Sequence, residues 1–166
     1  MRAKWVLRAA CGLALACATA RPATRDIYPD PGQARADIAA AVRQAAQTHK
    51  RVLLDFGGDW CGDCMVLEIY LHSARNAPIL NANFVLVHVN VGQLDQNLDI
   101  AGKYGVPVQR GVPEVAVLSE MGKLLYSTKD KALELAVQRG DTSAVTSFLL
   151  RWKPGTKGCS VVEVSC

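Results

Sequence analysis

Residues 51–56 (Arg-Val-Leu-Leu-Asp-Phe) form a short apolar run that stops at Gly57 and Gly58, and the segment after Trp60 reads as a helix with Cys61 and Cys64 at its start. A run of this length bounded by glycines is the pattern of a strand buried on both faces. A helix that follows within a few residues has to pack back against the sheet holding that strand. This unit commits the chain to an α/β class.

The remaining segments extend the same pattern. Residues 33–48 place Ile38, Ala41, Val42 and Ala45 on one helical face. Residues 84–91 are rich in β-branched side chains and predict a second strand, and residues 94–104 predict a helix closed by Gly105. A hairpin is predicted over 115–119 and 123–128 around Met121-Gly122, followed by helix over 131–152 with a break at Gly140-Asp141. Alternating helices and strands that end in a hairpin predict a central mixed sheet flanked by helices on both faces. With 166 residues there is room for one domain, placed at 33–152. Residues 21–32, with three prolines, read as a linker, and residues 153–166 as a C-terminal tail.

The first twenty residues do not belong to that core. Arg2, Lys4 and Arg8 precede an apolar run that ends in Ala18-Thr19-Ala20, the layout of a secretory signal peptide. The uncharged stretch from residue 9 to residue 20 is well short of the roughly 20 apolar residues that span a bilayer. Cleavage is expected after Ala20, and the bacterial periplasm is the expected destination. A competing reading takes Ala14-Leu15-Ala16-Cys17 as a lipoprotein site that leaves Cys17 acylated. Loss of residues 1–20 removes three basic residues and no acidic ones, leaving sixteen Lys and Arg against fifteen Asp and Glu. A nearly neutral chain lacks the clustered positive charge of a nucleic-acid binder. Four cysteines remain, Cys61, Cys64, Cys159 and Cys166, in a compartment that permits disulfides.

The chemistry lies in Trp60-Cys61-Gly62-Asp63-Cys64. At a strand-loop-helix junction Cys61 meets the free N–H groups and positive dipole end of a helix, which stabilise a thiolate. Two-residue spacing puts Cys64 on the same helix face, close enough to attack a mixed disulfide on Cys61 and release its partner. The plainer alternatives are a zinc half-site and an inert structural disulfide. Zinc would want a second, similarly spaced pair, whereas Cys159 and Cys166 are separated by six residues and His49, His72 and His88 form no ligand-spaced set. Attachment of c-type haem requires His after the second cysteine, where this chain has Met65.

An ordered set of features then carries a family likeness over 33–128: Leu53-Leu54-Asp55-Phe56 leading into Trp-Cys-Gly-X-Cys, Val89-Asn90 closing the next strand, Lys103-Tyr104-Gly105-Val106 ending a helix, and Arg110-Gly111-Val112-Pro113 before the hairpin. On these motifs the chain resembles the thioredoxin superfamily, in particular its exported members akin to the C-terminal domain of bacterial membrane thiol-disulfide interchange proteins. The resemblance implies a thiol-disulfide oxidoreductase with no organic cofactor and no metal, with Trp60, Cys61, Cys64, Asp55 and Pro113 as catalytic residues. It implies a cis peptide before Pro113, with Gly111 and Val112 offering backbone to an extended substrate; Pro107 is a rival for the cis position. Asp55 corresponds to the buried family acid that exchanges protons with the resolving cysteine, a role suited to a carboxyl group whose burial disfavours charge. His88 stands where the family usually has lysine, and as an imidazole it can either tune Asp55 with pH or sit as a satisfied core residue.

Further departures matter. Asp63 replaces the usual proline, and a carboxylate beside Cys61 opposes thiolate formation, which should move the potential toward thioredoxin's, about −270 mV, and away from the oxidant DsbA's, about −120 mV. A reductase or isomerase acting on disulfides of exported proteins is therefore expected, re-reduced by a membrane thiol-disulfide donor. Pro107-Val108-Gln109 lengthen the loop before the cis-proline, and Glu114 is expected to place a charge beside the substrate-facing loop. Cys159 and Cys166 are expected to form a structural disulfide, with a relay pair and intermolecular bonding as alternatives. The functional alternative is a thioredoxin-fold metallochaperone holding copper between Cys61 and Cys64.

Overall fold

The computed structural model describes residues 26–128 and 132–156. The expected signal peptide, Cys17, Cys159 and Cys166 lie outside these residues.

Four strands form one sheet: β1 (Arg51–Gly57), β2 (Phe84–Asn90), β3 (Glu114–Leu118) and β4 (Leu124–Ser127), in the order β2-β1-β3-β4. β1 runs parallel to β2 and antiparallel to β3, and β3 pairs antiparallel with β4. The apolar run at 51–56 is thus a central strand, and Val52 through Gly57 are all buried. Alternation along it feeds two cores. Val52, Leu54 and Phe56 face a layer built from α1 (Ala34–Thr48) and α4 (Leu98–Lys103), with Ile38, Ala41, Ala45, Ile100 and Ala101. Leu53 faces the other layer, where α2 (Gly62–Leu71), α3 (Ala77–Asn83), α5 (Ala132–Gln138) and α6 (Thr142–Trp152) contribute Leu67, Leu71, Leu80, Val137, Leu149 and Trp152. The mixed sheet with helices on both faces is therefore as expected.

Some elements differ from the sequence reading. Helix is absent over 94–97 because Leu94 and Asn97 take left-handed backbone (φ 68° and 54°), and the Asn97 side chain is held there by donating to the carbonyls of Asn90 and Pro31. A separate helix, α3, interrupts the segment between α2 and β2. Its start is set by Pro78, which lacks an N–H, and by Asn76, 1% exposed, which donates to Tyr70 O at 2.8 Å and accepts from Thr146 Oγ1 at 2.7 Å. Residues 26–32, expected as part of a linker, pack onto the domain. Tyr28 is only 3% exposed, the Ile27 N–H donates to Asp59, and Asn90 Nδ2 donates to Pro29 O at 2.9 Å. The start of the tail is held by Arg51, whose guanidinium donates to Trp152 O and Thr156 O. Among the described residues no helix is long and apolar enough to cross a membrane.

Candidate active site

β1 ends at Gly57, and the turn 58–61 delivers Cys61 to the N-cap of α2. Serine, threonine or aspartate usually caps with an oxygen; here Cys61 Sγ does so, accepting from Cys64 N–H at 3.1 Å. The same backbone donor that satisfies the helix start is thus available to a thiolate at Cys61. Cys61 and Cys64 are disulfide-bonded with Cα atoms 5.2 Å apart, so the oxidised form is the one described. Cys61 is 6% exposed and Cys64 fully buried, the asymmetry wanted between a sulfur that meets a partner and one that works from behind.

Facing them is the loop before β3. The Val112–Pro113 peptide is cis, the only cis bond among the described residues, and Pro107 is trans. Gly111 holds φ 132° and ψ 170°, a conformation that essentially only glycine adopts. Val112 O lies 3.6 Å from Cys61 Sγ, which places the cis-proline loop directly against the dithiol. Of the three extra residues, Val108 is buried and anchors the loop inside the first core. Trp60 is half-exposed, and its indole N–H donates to Gly92 O, tying the turn after β1 to the turn after β2.

Behind the sulfurs lies a polar chain that starts at buried Asp55 and Tyr28 and runs to the partly buried His88 and Glu68. Asp55 is fully buried on β1, and His88 stands beside it in the β1-β2 register. Asp55 Oδ2 accepts from Tyr28 O–H at 2.6 Å and pairs with His88 Nδ1 at 3.0 Å, while Asp55 Oδ1 has no hydrogen-bond partner. His88 Nε2 continues the chain to Glu68 of α2 at 3.6 Å. Burial alone would lower the His88 pKa, but the hydrogen bond and charge of Asp55, with Glu68 and Asp59 beyond, outweigh it, and the net shift is upward. Burial pushes the Tyr28 hydroxyl far up, and the Asp55 charge and hydrogen bond push it further.

A pH dependence of stability follows from His88. Its folded pKa is raised above the unfolded value of about 6.5, so its contribution is fully present below that pH and lost as pH rises through the folded value. The melting temperature should therefore fall across that window, and Asp55→Asn should flatten the fall because the two largest upward causes both come from Asp55. Thermal melts at closely spaced pH values check this; a wild-type profile as flat as the variant's contradicts it.

Asp63 lies in the first turn of α2 and its Oδ2 accepts from Gln138 Nε2 at 3.3 Å, so the carboxylate shares the helix end with Cys61. Glu114 is not where the sequence suggested. It is 1% exposed and opens β3 opposite Phe56, so it presents no charge at the loop surface. Tyr28 went unassigned in the sequence because it sits among prolines; the signal was an Ile-Tyr pair in an otherwise polar stretch.

The model of the family described as thioredoxin-like matches residues 33–119, more than half of the chain. The chain belongs to the thioredoxin-like family. A disulphide isomerase from Xylella fastidiosa Temecula1 is 31% identical, with a TM-score of 0.72 over 78% of this thioredoxin-like chain and 98% of that one. A thioredoxin from Chlorobaculum thiosulfatiphilum is 33% identical over 69 residues, 42% of this chain and 56% of the relative, so the match spans little more than half of that protein. The C-terminal domain of DsbD from Neisseria meningitidis, oxidised, is a more distant match: 23% identical, TM-score 0.46, covering 67% of this chain and 97% of that one.

Proposed function

We propose that this thioredoxin-like chain is a thiol-disulfide oxidoreductase that reduces or isomerises disulfides of exported proteins through Cys61 and Cys64. The observation that carries the reading is the pair at the N-terminus of α2, with Cys61 capping the helix and lying 3.6 Å from the carbonyl that precedes the cis-proline.

In the reduced enzyme the Cys61 thiolate attacks a substrate disulfide. A bond forms between Cys61 Sγ and one substrate sulfur, and the other leaves as a thiolate and takes a proton from water. Cys64 then gives up its proton, with Asp55 as acceptor, and attacks Cys61 Sγ. The second substrate sulfur leaves with the bonding pair, and two electrons have passed from the dithiol to the substrate. The product is the Cys61–Cys64 disulfide. Gly111, Val112 and Pro113 guide the substrate, whose extended backbone lies along the loop facing Cys61. Asp63 holds Cys61 toward the reducing end of the family range, and His88 tunes Asp55.

The biological setting is part of the same proposal. Residues 1–20 act as a signal peptide to the periplasm, with a lipid anchor on Cys17 as the alternative processing, and a membrane thiol-disulfide donor returns the electrons. Cys159 and Cys166 close a structural disulfide in the tail. The assay is reduction of insulin by dithiothreitol with catalytic amounts of the chain lacking residues 1–20. Precipitation of the insulin B chain well ahead of dithiothreitol alone is the expected result, and no acceleration contradicts the reading.

A further inference from the structure

Gly57 follows Asp55 by two residues and faces the same side of β1. The point where a Cβ on residue 57 would sit is crowded by the hydroxyl end of Tyr28, with Cζ at 2.7 Å, and by Cys64 Sγ at 2.8 Å. The phenol oxygen and the buried sulfur therefore both border the space that the absent side chain at Gly57 leaves open. The same phenol donates to Asp55 Oδ2 at 2.6 Å. Its ring is fixed edge-on to His88, centroids 5.1 Å apart.

We propose that the Tyr28 hydroxyl is the relay that passes the Cys64 proton to Asp55. The inference rests on the reading above that Asp55 is the acceptor for Cys64. In the mixed disulfide, the Cys64 S–H proton moves to the Tyr28 oxygen as the Tyr28 O–H proton moves to Asp55 Oδ2. The Cys64 sulfur then forms its bond to Cys61 Sγ, and the substrate thiolate leaves with the electron pair of the broken bond and is protonated by water. Tyr28 ends the step unchanged, and Asp55 later loses the proton to solvent. Burial and the carboxylate keep the phenol neutral, so it transmits protons without holding a charge. The groups that set the pH response of this step are Asp55 on β1, His88 on β2, Glu68 on α2 and Asp59 in the turn after β1.

The test is stopped-flow reaction of the reduced protein lacking residues 1–20 with one equivalent of the aromatic disulfide DTNB. Attack by Cys61 releases one thionitrobenzoate, and resolution by Cys64 releases the second. In Tyr28→Phe, which keeps the ring and removes the oxygen, the second phase should slow by about 10- to 100-fold near neutral pH. The first phase should keep its pH profile, and the gap in the second should close at high pH, where Cys64 ionises without an acceptor. A structural role would shift both phases together or leave the gap independent of pH, and either result overturns the relay. If Tyr28→Phe does not fold, the wild type in mixtures of H2O and D2O decides. A bowl-shaped proton inventory confined to the second phase supports two protons in flight, and a linear one overturns the relay. Release of a single thionitrobenzoate per molecule would instead overturn the dithiol reading on which the relay rests.

Discussion

Cys61→Ser is expected to abolish insulin reduction, lowering the rate by roughly 1,000-fold or more, because no other sulfur among the described residues occupies a helix N-cap facing the cis-proline loop. Cys64→Ser should behave differently. Cys61 still attacks, but nothing buried behind it resolves the product, so the variant should accumulate as a mixed disulfide with substrate, visible as a dithiothreitol-sensitive mass adduct. The two serine variants thus separate attack from resolution. If Cys64→Ser loses activity without trapping substrate while Cys61→Ser traps it, the assigned order of the two sulfurs is reversed.

The second large effect is on stability. Phe56 is fully buried on β1 and belongs to the layer between the sheet and α1 with α4, immediately before the turn that carries Cys61. Phe56→Ala removes most of its side chain from a site with backbone on either side and should cost about 3–5 kcal/mol. That is a large share of the about 5–15 kcal/mol that holds a domain together. Urea titration measures it, with the midpoint falling and the slope unchanged. A loss below about 1 kcal/mol would mean the layer collapses around the gap, contrary to the close packing described. Because the same layer includes Cys61 and Cys64, the variant should also blunt reactivity at the dithiol.

What could be read from the sequence follows from how directly each feature rests on local pattern. β1 was legible because a strand buried on both faces is an uninterrupted apolar run, and the dithiol was legible because a helix start after such a strand exposes backbone donors to the first cysteine. The juxtaposition of Asp55 and His88 was implied by the family resemblance and not by local pattern, and the parallel register of β1 and β2 aligns the two residues. Features that depend on distant partners did not come through. Asn97 is left-handed because of carbonyls at Asn90 and Pro31, and α3 starts where Asn76 finds Thr146 from α6. Glu114 looked like a loop residue because it follows a proline, but β3 begins there and is buried along its whole length. Tyr28 is the most consequential of these. Nothing local assigns a role to a tyrosine between Ile27 and Pro29; only the fold brings its hydroxyl to the space left open at Gly57, which Cys64 Sγ also borders.

The direction of electron flow is the central claim, and the redox potential of Cys61–Cys64 tests it most directly. The chain lacking residues 1–20 is equilibrated in glutathione or dithiothreitol buffers, and alkylated thiols are counted by mass spectrometry. A potential near thioredoxin's, about −270 mV, is the expected result, rising in Asp63→Asn as the carboxylate beside Cys61 is removed. A potential above about −170 mV, toward that of DsbA, would contradict it and make the protein an oxidant of its clients.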